Sequence, residues 1–190
     1  MPDQQKRQAL GRPVGFDRET VLEIAMEFLW NGGFEETPVG DLIDAMGLSR
    51  SSFYAAFGSK RGVLIGALRL YSARCIELLV DINRRDDERR IKLRDMIFGL
   101  AVVGDERGCF MANCISGQAR HDPEIRQIAA EHNAAVEHFL TNLLSDDGSG
   151  SRPARARVLI SAAYGATLLR AAGTHRAEIE EMLDALVDRV

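Results

Sequence analysis

The stretch Thr37 to Lys60, TPVGDLIDAMGLSRSSFYAAFGSK, constrains this chain more than any other, because its spacing admits two short helices joined by one tight turn. Thr37 is a candidate N-cap, with Pro38 in the first helical position, where the missing N–H has no intrahelical partner to lose. Leu42, Ile43 and Met46 fall on one apolar face. Gly47 stands where the backbone must pass through a left-handed conformation that a side chain resists. Ser49 is a good N-cap for a second helix, in which Phe53 and Phe57 share one face and point inward together. Arg50, Ser51, Ser52, Tyr54 and Ala55 are left outside, a small, polar and cationic surface that a DNA major groove accepts. The arrangement reads as a helix-turn-helix.

Charge follows the same division. Leu48 to Gly62 carries three cations (Arg50, Lys60, Arg61) and no acid, whereas residues 1–47 carry four cations against nine acids. With a net charge of −4 the surface as a whole repels nucleic acid, so affinity for DNA must come from a patch. An apolar content of 46% over 190 residues is ample for a core. No apolar run approaches the roughly 20 residues of a membrane span, and the N-terminus lacks the apolar segment of a signal peptide. A cytoplasmic location and no membrane partner are expected. Cys75, Cys109 and Cys114 form no CxxC pair, which fits reduced cytosolic thiols.

Residues 1–16, with Lys6, Arg7 and Arg12 interrupted by Gly11, Pro13 and Gly15, read as a flexible basic arm. Such an arm enters a minor groove or rests on phosphates; a solubilising terminus is the alternative. Asp17 starts a helix in which Val21, Leu22, Ala25, Phe28 and Leu29 recur at helical spacing until Gly32 and Gly33. Trp30 reads as packing material. From Lys60 a longer helix runs through Val63, Leu64, Leu68, Tyr71, Cys75, Leu79 and Ile82. Its free N–H groups beside Ser59 and Lys60 make a natural phosphate site.

Further helices are expected at about 88–103, 109–120, 123–145, 153–172 and 175–189, with SDDGSGSR at 145–152 as a loop. No alternating strand pattern interrupts them, so the fold class is all-α, with residues 17–62 as the DNA-binding domain and 63–190 as a second domain. Segments 123–145 and 153–172 carry an apolar face rich in small residues. Two such helices from each of two chains form a four-helix interface, and a helix-turn-helix gains specificity from two-fold symmetry on a palindrome. The same pattern also suits burial within one chain.

The residues GFEETPVGDLIDAMGLSRSSFYAAFGSKRGVL at 33–64 resemble members of the TetR (tetracycline-repressor) family of bacterial transcription regulators, with Gly47, Ser49, Tyr54, Phe57, Lys60 and Leu64 at the fixed spacing. The resemblance implies an all-α homodimer whose N-terminal domain binds double-stranded DNA and whose C-terminal domain binds a small molecule and dimerises. It implies base contacts from Arg50, Ser51, Ser52 and Ala55, and phosphate contacts from Thr37, Tyr54 and Lys60. Two positions depart from the pattern: Gly40, where some members place a cation, and Ile43, commonly alanine. RGCFMANC at 107–114 is similar to a pattern in one group of these regulators, some of which sense electrophiles or oxidants through cysteine. Arg107 and a helix N-terminus near Cys109 lower a thiol pKa, while a small buried apolar cysteine is the alternative.

The leading functional expectation is a repressor released from a palindromic operator by a small-molecule effector. The effector site is expected between the helix beginning after Lys60 and segments 88–120, lined by Met96, Leu100, Cys109, Phe110, Met111 and Asn113. A constitutive or architectural DNA-binding regulator without effector is the second reading. The third is a cysteine-dependent enzyme built on Cys109 and His121. That reading lacks an orienting motif or glycine-rich loop, and His132 and His138 are not at metal-ligand spacing. No metal or cofactor is expected.

Overall fold

A computed structural model of the protein describes residues 15–102, 105–146 and 150–189. These form nine α-helices: α1 (Arg18–Gly32), α2 (Val39–Ala45), α3 (Arg50–Phe57), α4 (Lys60–Arg84), α5 (Arg89–Val102), α6 (Phe110–Gly117), α7 (Pro123–Leu143), α8 (Arg152–Ala171) and α9 (Arg176–Val187). A 3-10 turn at Asp105–Arg107 precedes α6. No helix of the described residues is long and apolar enough to cross a membrane. Most of the basic arm expected at 1–16, including Lys6, Arg7 and Arg12, lies outside the described residues.

The helix starts follow the local chemistry. Asp17 accepts the backbone N–H groups of Glu19 and Thr20, Ser49 that of Ser52, Ser59 that of Gly62, and Asp122 those of Glu124 and Ile125. Pro123 then fills the first turn of α7, where it costs no hydrogen bond. One start departs from expectation. Pro38, not Thr37, is the capping residue of α2, and Thr37 turns its hydroxyl back to the carbonyl of Gly33 at 2.6 Å.

α1 lies along α4 and rests on α2 as well. Beyond them α4 packs on α5, α6 and α7, while α8 covers α5 and α7 and α9 closes against α5 and α8. Two apolar clusters result. The first joins Leu22, Leu29, Leu42, Phe53 and Leu64 to Tyr71, Cys75, Phe110, Met111 and Ile125; the second gathers Leu79, Met96, Ile97, Leu140, Leu159 and Leu183. They divide along α4 beyond Cys75, whereas the sequence-based division falls at 62. Two residues depart from their expected places. Phe28 is 36% exposed on the outer face of α1 and not in the core. Phe16, assigned to the arm, stacks on Phe57 with ring centroids 6.4 Å apart.

α4 is 25 residues long, so at 1.5 Å per residue it spans about 37 Å. Only Gly58 and Ser59 separate it from the end of α3, and it carries Tyr71 and Cys75 to the middle of the bundle. Gly62 makes that start possible: a Cβ there would lie 1.9 Å from the carbonyl oxygen of Phe57.

Candidate nucleic-acid interface

α3 is held on a fixed aromatic base. Phe53 is fully buried and Phe57 nearly so, their centroids 6.1 Å apart, and neither turns without displacing the other. Ser49 hydrogen-bonds the Ser51 hydroxyl at 3.0 Å and donates to that of Ser52 at 2.9 Å, which fixes the first turn. Gly47 supplies the left-handed turn between α2 and α3 at φ 63°. On this base Arg50, Ser51, Tyr54 and Ala55 are exposed and Ser52 is half-buried. Tyr54, 52% exposed, packs edge-on against Phe53 and presents its hydroxyl to solvent. Arg50 makes no ion pair among the described residues, so its guanidinium is available to a base edge or a phosphate.

The surrounding residues are placed less uniformly. Ser59 is exposed at the start of α4 with its hydroxyl capping Gly62. Lys60 lies 4.5 Å over the Phe34 ring with its ammonium 3.5 Å from the Glu35 carbonyl oxygen, a pose that keeps the charge near the surface. Thr37 is only 4% exposed and its hydroxyl is committed to Gly33, so the side chain is not presented as a phosphate ligand. Arg61, counted with the local positive charge, is instead paired with Asp122 at 2.5 Å and Glu124 at 2.9 Å. Sequence reading missed Arg18, whose guanidinium donates to the Ala56 carbonyl at 2.9 Å and sits 4.6 Å over Phe57. Its only local signal is a cation next to the Asp17 cap.

A second feature lies deeper in the bundle. α4, α5, α7 and α8, with Cys109 just before α6, enclose a cavity with about 20 Å³ of room for the centres of water molecules. Its apolar wall is Leu100, Val136, Ile160 and Ala163; its polar wall is Tyr71, His132, Asn133, Tyr164 and the thiols of Cys75 and Cys109. Of the expected effector residues, only Leu100 and Cys109 line it. Met96, Phe110 and Met111 are fully or almost fully buried core, and Asn113 donates to the Arg107 carbonyl. Phe110 and Asn113 instead border a second pocket between α1, α4 and α6, lined also by Leu29, Trp30, Phe34 and Leu64.

The expected activation of Cys109 is absent from this arrangement. Cys109 caps α6, its sulfur accepting from the Ala112 N–H at 3.4 Å, but burial outweighs the helix end and pushes the thiol pKa up. Arg107 points away from it, onto Glu27 and 4.4 Å over Trp30. The Cys109 sulfur instead meets the Tyr71 hydroxyl at 3.1 Å. His121 is exposed while Cys109 is buried, and no thiol–imidazole pair exists between them. Burial also pushes Cys75 and Cys114 up to about 12 and His132 down to about 4. The cavity wall is thus neutral at pH 7. Among the described residues no group of three or more His, Cys, Asp or Glu is arranged to hold a metal.

An exposed, capped second helix on a buried aromatic base, joined through one long helix to a bundle, defines a helix-turn-helix DNA-binding protein with a helical companion domain. Residues 21–67 match the model for bacterial regulatory proteins of the tetR family, and residues 115–189 that for the tetracyclin repressor-like C-terminal domain. The HTH-type transcriptional repressor ComR of Escherichia coli (strain K12) is 37% identical over 144 residues, 73% of this chain and 68% of that protein. An HTH-type transcriptional regulator of Bacillus subtilis (strain 168), YezE, is 25% identical over 186 residues, 95% of this chain and 96% of that one. The TetR family regulator CifR, solved with double-strand operator DNA, shares the fold at a TM-score of 0.77 and 21% identity, over 94% of this chain and 99% of that one. The chain belongs to the TetR family of transcriptional regulators and is not an enzyme.

Proposed function

We propose that this protein is a ligand-responsive repressor: a homodimer that places two copies of α3 in adjacent major grooves of a palindromic operator and leaves the DNA when a small molecule occupies its C-terminal bundle. The observation that carries this reading is the continuity of α4, which is separated from the recognition helix by only two residues and contributes Tyr71 and Cys75 to the cavity wall. A ligand that spreads α4 from α7 and α8 changes the spacing of the two recognition helices, and only its preference for that state over the other is needed. Support for repression comes from ComR, a repressor by name, and support for operator binding from CifR. Residues 17–62 serve as the DNA-reading domain and 63–190 as the effector-binding and dimerisation domain, in the cytoplasm. Dimerisation is assigned to α7 and α8, the outer face of α8 carrying the exposed Val158, Leu168 and Leu169.

The small cavity favours one second reading, a constitutive regulator that needs no effector. Both are tested by fluorescence anisotropy on DNA from upstream of the protein's own and neighbouring genes, repeated with candidate metabolites. Sequence-specific binding abolished by one compound supports the first reading. In the same assay Arg50→Ala is expected to lose about 1–3 kcal/mol of discrimination between operator and random DNA, as a base-edge contact requires. An equal loss on both DNAs makes Arg50 a phosphate contact.

A further inference from the structure

We propose that the cavity between α4, α5, α7 and α8 binds a small, uncharged molecule bearing a hydroxyl group, held by a hydrogen bond to Nε2 of His132. The proposal rests on the preceding assignment of this cavity to the effector and adds the chemistry of what enters it. His132 is 5% exposed and lines the cavity, and its Nδ1 meets the Ser72 hydroxyl at 3.0 Å. Nε2 has no hydrogen-bond partner among the described residues. The neighbouring polar groups are already engaged with each other: the Tyr164 hydroxyl donates to Asn133 Oδ1 at 2.6 Å, and the Tyr71 hydroxyl meets the Cys109 sulfur at 3.1 Å. An imidazole nitrogen that borders the cavity without a protein partner is left to water there, and a ligand hydroxyl replaces that water while keeping its hydrogen bond.

The tautomer of His132 depends on which way the Ser72 proton points, so Nε2 is either a donor or an acceptor. A hydroxyl meets both cases, because it donates and accepts. Charge is excluded by the wall. It contains no Asp, Glu, Lys or Arg, burial keeps its thiols protonated, and His132 is neutral at pH 7. A carboxylate or an ammonium would enter without a counter-charge, at a cost its apolar contacts do not offset. The remaining contacts, with Leu100, Val136, Ile160 and the Tyr71 and Tyr164 rings, suit a compact ring or short alkyl chain. Leu100 and Ile160 are only half-buried and are the side chains best placed to yield as the ligand enters.

The test is isothermal titration calorimetry of the full chain at pH 7 with phenol and, separately, benzoate, which differ chiefly in charge. Phenol binding is expected, with benzoate weaker by at least about tenfold. His132→Phe, which keeps a ring but removes both nitrogens, should weaken phenol about tenfold, and His132→Gln by less. No phenol binding to wild type, benzoate binding as tight as phenol, or unchanged phenol affinity in His132→Phe each overturns the proposal. The phenol and benzoate comparison uses wild type alone, so it decides the matter even where His132→Phe fails to fold. Operator release, followed by anisotropy, is a separate readout. Phenol that binds without releasing DNA sinks the effector reading but not the site chemistry, and release by a charged metabolite with no phenol binding does the reverse.

Discussion

Arg61 and Asp122 join the start of α4 to the start of α7 by a two-point pairing, Nε to Oδ2 at 2.5 Å and Nη2 to Oδ1 at 2.8 Å. The same guanidinium reaches Glu124 at 2.9 Å, and Asp122 also caps α7. One cation beside the recognition helix thus anchors the DNA-reading end of α4 to the companion bundle. The geometry is that of a forked guanidinium on a carboxylate, the strongest of the surface ion pairs.

This pairing and His132 predict two separate pH windows. The Arg61 hydrogen bonds hold the Asp122 carboxyl down at about 2, below its ordinary 3.8. A depressed carboxylate stabilises the fold above the unfolded value, and that contribution is lost as pH falls from about 4 toward 2. Burial holds His132 at about 4, below 6.5, so the unfolded chain takes a proton that the folded chain refuses, and stability falls as pH drops from 6.5 to 4. Denaturant melts across pH are expected to show both losses in wild type. Asp122→Asn, which still caps the helix, should flatten only the lower window, and His132→Gln only the upper. If either variant tracks wild type throughout, that residue is not the source of the loss.

Gly62→Ala is expected to destabilise the fold and weaken operator binding together. The added methyl would sit 1.9 Å from a backbone oxygen of Phe57, which has no rotamer with which to escape. α3 must shift against α4, at a cost of about 1–3 kcal/mol. Thermal melts and operator titrations check this, and an unchanged melting temperature would show that the two helices separate freely.

How much of this was legible in the sequence depends on how far apart the partners lie. The Ser49 cap, the Gly47 turn and the Phe53 and Phe57 base are local, and periodicity with turn chemistry sufficed to place them. Thr37 is also local but was misplaced, because its hydroxyl bonds backward to Gly33 and not forward into α2. The Arg61–Asp122 pair spans 61 positions and the Tyr71–Cys109 contact 38, and no pattern of spacing announces either. The polar wall of the cavity is hidden in the sequence for the same reason: His132, Asn133 and Tyr164 reach it only once α7 and α8 have packed on α4. Cys109 was read from its neighbours in sequence, whereas its burial, a property of the whole fold, sets its pKa.

Lys60→Ala and Tyr54→Phe are expected to weaken binding to every DNA sequence by similar factors, since Tyr54 presents a hydroxyl from α3 and Lys60 a charge just beyond it, and neither is placed as a base reader. Lys60→Ala should reduce the slope of log affinity against log salt by about one unit or less. Tyr54→Phe removes a hydroxyl without removing charge, costing about 1 kcal/mol with little change in slope. Anisotropy titrations on operator and random DNA at several salt concentrations measure both. A loss confined to the operator would move either residue to the base-reading set.

The dimer face is predicted from what α8 leaves uncovered. Val158 is 54% exposed, Leu168 62% and Leu169 44%, while Ser161 and Gly165 fall between them on the same side of the helix. Ala130 and Ala134 are exposed on α7. Small residues between larger apolar ones let a second copy approach closely, and an apolar stripe left in water is the mark of an interaction surface. Ala166 is unsuited to test this, because it is fully buried within the chain and a charge there would unfold the bundle. Leu168→Glu and Val158→Glu place a charge on the exposed face instead. Each should yield monomers of 21.0 kDa in sedimentation, with helical content retained and operator affinity lost, because one recognition helix alone reads half a palindrome. If wild type sediments as a monomer at micromolar concentration, or if both variants remain dimers, the partner lies on another face.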